Sequence, residues 1–156
     1  MSLQIKIVTP PVDYPALAHI KYLAFASNTL SQLMYPSTIP PQSIQSWFVE
    51  REKRDAQNPL QRTIAVVDTE KENEIIAYAK WEFPSTLVRN ENGAEVKRVE
   101  LGPVPKVPEG GNEELWGMFR GGLDGMREKW GNKEEVFGTL CGKTIPCPRN
   151  NPLFAL

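Results

Sequence analysis

Two apolar runs, RTIAVVD (Arg62 to Asp68) and EIIAYAKWEF (Glu74 to Phe83), are separated by the polar stretch TEKEN and constrain the fold more than any other feature. Both are rich in Ile and Val, the residues that fit a pleated, half-buried surface, and this spacing predicts a β-hairpin. Their apolar runs are nearly continuous, so both strands are expected in the middle of a sheet covered on at least one face. Tyr78 and Trp81 fall inside the second run, where an aromatic either fills core volume or lines a pocket.

The chain before the hairpin supplies one strand and three helical segments. Gln4 to Val8 alternates apolar and polar residues as a half-buried strand does, and Thr9, Pro10 and Pro11 end it. Asp13 is placed to cap a helix with Pro15 in its first turn and Ala16, Leu17, Ile20, Leu23 and Ala24 on its apolar face. His19, the one histidine, sits within that pattern with no Ser, Cys or carboxylate arranged around it, and reads as an ordinary helix residue. Asn28 to Ile39 predicts a short helix and a loop, because Pro36 stops continuation. Pro40 and Pro41 open the next helix, where the spacing of Ile44, Trp47, Phe48 and Arg51 places two aromatics on the core side and leaves charge on the other, with EREKRDAQNP as a solvated tail.

After the hairpin the composition changes. Residues 84–112 hold Pro84, Pro103, Pro105, Pro108 and the pair Gly110-Gly111, and read as an irregular excursion with a weak hairpin about Asn92-Gly93. Asn112 is placed to cap a further helix bearing Leu115, Phe119, Leu123, Met126 and Trp130 on one face, ended by Gly131. Gly117, Gly121, Gly122 and Gly125 lie inside it, where each weakens a helix by roughly 0.8–1 kcal/mol relative to Ala. Either packing tolerates them or they admit a close approach. A last strand runs from Glu135 to Cys141.

Composition narrows the function classes. With 18 basic and 19 acidic residues in 156, and no long basic stripe, nucleic acid is not an expected partner. The start, MSLQIKIVTPPVDY, does not read as an export signal, and no window approaches the roughly 18 apolar residues of a membrane span. A soluble, cytoplasmic protein is expected. Cys141 and Cys147 have neither zinc-ribbon nor redox spacing, so no metal is expected. GTLCGKT approaches the phosphate-binding pattern G-x-x-x-x-G-K-[ST], but the first glycine would have to stand at Phe137, and the prolines of TIPCPRNNP prevent the required helix.

The succession VTPPVDYPALAHI, then IAVVD and EIIAYAKWEFP, then PEGGNEELWGMFRGGLDGMREKWGNKE leading into VFGTLC, resembles the first half of a GNAT acetyltransferase domain of the fungal small-molecule type. The resemblance spans residues 4–141 and implies an α/β (α+β) fold, with a mixed, largely antiparallel sheet flanked by helices. It further implies acetyl-CoA as cosubstrate and a small amine as acceptor. On the family pattern the strand ending at Leu140 and Cys141 offers backbone groups to the pantetheine arm, which makes these two residues the candidate cofactor contacts. No catalytic residue can be carried over.

The family continues with a [RQ]-x-x-G-x-[GA] loop whose backbone N–H groups hold a pyrophosphate at a helix N-terminus. This chain has GKTIPCPRN there, so the resemblance breaks off after the fourth core strand and residues 142–156 form an unrelated Pro-rich tail. An impaired donor site follows. The alternatives are a non-catalytic GNAT remnant or accessory protein that binds a ligand or partner, with self-association through an exposed sheet edge.

Overall fold

The computed structural model describes residues 2–130 and, by backbone, 137–140 and 143–146. Strand β1 (Leu3–Ile7) leads into helices α1 (Tyr14–Phe25), α2 (Thr29–Met34) and α3 (Pro41–Asp55), followed by β2 (Gln61–Asp68) and β3 (Glu74–Glu82). After an irregular stretch come α4 (Glu113–Trp130), β4 (Phe137–Leu140) and β5 (Lys143–Pro146). The strands lie side by side in chain order, each antiparallel to its neighbour. Helices beside an antiparallel sheet make this an α+β fold, as expected.

The hairpin forms as its pattern predicts. Gln61 pairs with Glu82 and Asp68 with Glu74, with one bulge between Val66 and Val67. Glu72 and Asn73 close the turn with φ of 52° and 61°, a left-handed conformation that Asn tolerates and Glu adopts at a cost. Ala65, Val67, Ile75 and Tyr78 then form one core cluster with Tyr14 and Leu17 of α1. Tyr78 is a core residue, whereas Trp81 lines a cleft.

A second cluster lies between the helices, where Trp47 and Phe48 are each 5% exposed. Burying aromatic side chains of this size contributes about 1.5–3 kcal/mol each. The excursion is tied to this cluster. The Trp47 indole donates to the Pro105 carbonyl at 3.0 Å, the Asn112 N–H donates to the Met34 carbonyl at 2.9 Å, and Val107 packs on the same residues. Within it the weak hairpin shrinks to a single bridge, Arg89 to Glu95, around Gly93.

Four details depart from the sequence pattern. Asp13 precedes α1 but does not cap it, because its backbone is already helical; instead its carboxylate accepts from the Thr9 N–H at 2.7 Å and pairs with Lys6 at 2.9 Å. Leu23, at 58% exposed, and Ala24 lie off the buried face of α1, which centres on Tyr14, Leu17 and Ala18. On α4 Asn112 caps as expected, its side chain accepting from the Leu115 N–H at 2.9 Å. There Trp116 is the residue packed on the second cluster while Met126 is 54% exposed, because the helix docks through its N-terminal half. The fourth concerns the tail, whose residues Lys143–Pro146 pair along β4 as a strand.

Among the described residues nothing lies near a Cβ placed at Gly117, Gly121, Gly122 or Gly125 of α4, so tolerance explains them. Gly111 differs: a Cβ there would collide with the Val107 side chain, and the close approach of the excursion to α2 depends on it. Gly131, Glu135, Val136 and Cys141, assigned above to a helix stop and to the last strand, lie outside the described residues.

Candidate functional site

A cleft of about 1260 Å³ opens between the helices and the far end of β3. Each wall follows from local sequence. On α1, Leu17 and Ala18 fix the buried face, and Lys21 and Tyr22 follow one turn later, toward the cleft. On α3, Phe48, Arg51 and Asp55 recur at helical spacing along one wall. The hairpin delivers Lys80, Trp81 and Glu82, and α4 contributes Trp116, Phe119, Arg120 and Asp124.

The floor is a chain of charges. Glu52 of α3 is 3% exposed, and its Oε2 lies 2.5 Å from Lys80 Nζ. Lys80 Nζ also donates to Asp55 Oδ2 at 3.1 Å. On the other side Glu52 Oε1 stands 3.9 Å from Lys21 Nζ and accepts no hydrogen bond among the described residues. Lys21 Nζ in turn sits 5.0 Å above the Phe48 ring. The tail of α3 is therefore no solvated face, as its alternating charges had implied. Glu52 and Asp55 turn inward because Lys21 and Lys80 meet them there.

Above the floor stands Arg51, whose guanidinium lies 4.9 Å from the Trp47 ring centre and 4.7 Å from that of Trp116, in cation–π contact with both. The two tryptophans meet edge to face at 5.1 Å. Nearer the rim, Arg54 donates to the Gly102 carbonyl and pairs with Asp55 at 3.2 Å, Arg98 pairs with Glu82 at 3.2 Å, and Arg120 reaches Asp124 at 3.7 Å.

Electrostatics follow from this crowding. Burial, reinforced by the charge of Arg51, lowers the Lys21 ammonium to about 7 against the opposing pull of Glu52. Burial and Arg120 lower Arg51 as well, though a guanidinium stays protonated. Burial pushes the Asp55 carboxyl up, but Lys80 and Arg51 outweigh it and leave the group below its ordinary value. Burial raises the Tyr35 phenol. Six cationic side chains line the cleft (Lys21, Arg51, Arg54, Lys80, Arg98, Arg120) against the carboxylates of Asp55, Glu82 and Asp124, with Glu52 beneath. The balance attracts anions.

No family model, curated protein or solved structure matches this chain.

Of the residues singled out from sequence, Leu140 ends β4 opposite Ala79 on one side and Lys143 on the other, and Cys141 lies outside the described residues. β4 runs beside the part of β3 that carries Lys80 and Glu82. His19 is exposed on α1. Among the described residues no three His, Cys, Asp or Glu side chains converge as metal ligands, and no helix is long and apolar enough to cross a membrane. The sequence pattern missed Lys21, Glu52 and Lys80. Two had a signal, since Lys21 interrupts YPALAHIKYLAF and Lys80 interrupts EIIAYAKWEF, and a lone charge in an apolar run must be paired when buried.

Proposed function

We propose that this chain is a GNAT-type, acetyl-CoA-dependent N-acetyltransferase-like protein of the cytoplasm that acts on a small amine, with an impaired donor site. The observation that supports this reading is the order of elements. Helices α1 to α3 fall between β1 and β2, and β1 to β4 lie antiparallel in chain order. This is the succession that the sequence resemblance implies for residues 4–141. The reaction would be attack of the amine on the acetyl thioester, with a base and an oxyanion donor. On this reading the backbone of Leu140 and Cys141 approaches the donor. Calorimetry with acetyl-CoA and desulfo-CoA, followed by thiol release across simple amines, tests it: binding with turnover supports it, and absence of binding removes it.

One observation favours a second reading, a non-catalytic binding module. β5 pairs along β4, with Leu140 opposite Lys143 and Phe137 opposite Pro146. The backbone that the family pattern leaves open to pantetheine is here engaged with a neighbouring strand. The same calorimetry separates the readings, because a binding module releases no thiol with any amine.

A further inference from the structure

We propose that the cleft between α1, α3 and α4 is a binding site for a small anionic molecule, a carboxylate or phosphate carried on a flat apolar body, received by Lys21, Arg51 and Arg120.

Arg51 carries the argument. Its guanidinium lies over both the Trp47 and Trp116 rings, at 4.9 and 4.7 Å, and among the described residues it has neither an ion pair nor a hydrogen bond. The fork is fixed by its aromatic neighbours while its donors remain available for a planar or tetrahedral anion. Two further cations line the same cavity and repel it, Lys21 from α1 and Arg120 from α4. Neither is well satisfied: among the described residues Lys21 pairs with Glu52 at 3.9 Å alone, and Arg120 with Asp124 at 3.7 Å alone. Three cations converging on one cavity, each short of hydrogen-bond acceptors, are relieved together by one bound anion.

The rest of the cavity defines the ligand's body. Tyr35, Phe48, Trp116 and Phe119 line it, and the first three pack around Trp47 in edge and tilted contacts. Rigid aromatic walls beside a fixed cationic group select a flat apolar ligand with one anionic end. Anion binding also changes protonation. Lys21 faces Arg51, Glu52 and Asp55 of α3 and Lys80 of β3, and its ammonium is held near 7. A bound anion favours the charged form, so the complex takes up a proton above neutrality and weakens as pH rises. The inference needs no acyl transfer and stands apart from the reading above.

The test is calorimetry without acetyl-CoA, using 2-naphthoate and 2-naphthyl phosphate as anions and 2-naphthalenemethanol and 2-naphthylmethylammonium as neutral and cationic counterparts. At pH 6.5 at least one anion is expected to bind roughly tenfold or more tightly than the alcohol, with the ammonium weaker still. Which anion binds better identifies the head group. Arg51→Met keeps an apolar side chain against the tryptophans and should erase the preference. Arg120→Gln, on an outer helix, should reduce it several-fold without risk to folding. Lys21→Met should abolish the proton uptake seen on comparing buffers of different ionisation enthalpy at pH 8. Equal affinity for all four probes, or anion affinity unchanged in both Arg51→Met and Arg120→Gln, would overturn the proposal.

Discussion

At the residue scale, Glu52 is the position where a single atom matters most. Buried at 3% exposure between Lys80 and Lys21, it compensates two cations at once. Glu52→Gln leaves both under-compensated and should destabilise the protein by about 3 kcal/mol, the range for breaking a buried pair. By contrast Glu50→Gln, two residues away and exposed in its pair with Lys53, should change stability by less than about 0.5 kcal/mol. Urea midpoints measure both. Sequence pattern gave no means of telling these neighbours apart, because EREKRD reads as uniform charge. What distinguishes Glu52 is the arrival of Lys80 from β3, a partner remote in sequence.

Lys21 makes a second prediction at this scale. An unfolded lysine titrates near 10.4 and the folded one near 7. Between those values the unfolded chain binds a proton that the folded chain does not. Stability should therefore rise with pH from 7 toward 9.5, by up to about 1.4 kcal/mol per pH unit. Above pH 10 the raised Tyr14 and Tyr35 phenols reverse the trend. Lys21→Met should flatten the rise, and a flat profile in the unaltered protein would contradict the burial of this amine. In acid the stabilising contributions of Asp13 and Asp55, both held below the ordinary carboxyl range, should be complete above the unfolded carboxyl value and decline as pH falls from there through their folded values.

At the element scale, α4 is the segment whose sequence and structure agree least about stability. Asn112 caps it, with Glu113 and Glu114 at the positive end of the helix dipole, but its four internal glycines have no neighbour at the Cβ position among the described residues. Gly117→Ala, Gly121→Ala and Gly125→Ala together should raise stability by about 2–3 kcal/mol by thermal or urea unfolding. A loss would mean that a neighbour packs on that face. Gly111→Ala is the opposing control and should destabilise through its collision with Val107.

Elements with a strong period were legible in the sequence: the β2–β3 hairpin, the Pro-led start of α3 and the Asn112 cap all fall where their residues place them. Elements set by docking were not. The buried face of α1 turns away from Leu23, and that of α4 toward Trp116, because tertiary neighbours select among several apolar stripes on the same helix. The tail strand β5 was hidden by its prolines, which mark a loop when read without the edge of β4 beside them.

At the scale of the whole molecule, the sheet is covered by α1 on one face, while Leu3, Ile5 and Ile7 of β1 remain 50%, 75% and 71% exposed. β1 also ends the strand order, so one side of its backbone has no strand partner among the described residues. An apolar edge strand favours association with a second copy. Light scattering should show mass rising with concentration, and Ile5→Lys with Ile7→Lys should restore a monomer. A concentration-independent monomer in the unaltered protein would count against this.

The cleft is where the molecular architecture is most exposed to test, because it exists only if α1, α3 and β3 meet as described. Its floor depends on Lys21, Glu52 and Lys80 coming from three separate elements. The most direct measurement is a pH titration of the lysine side chains by NMR, with Lys21 assigned through Lys21→Met. The cleft described here predicts one lysine titrating near 7, missing from the variant and moving upward when 2-naphthoate is bound. Titration of every lysine near 10.4 would mean that Lys21 is solvated and that the charged cleft does not form.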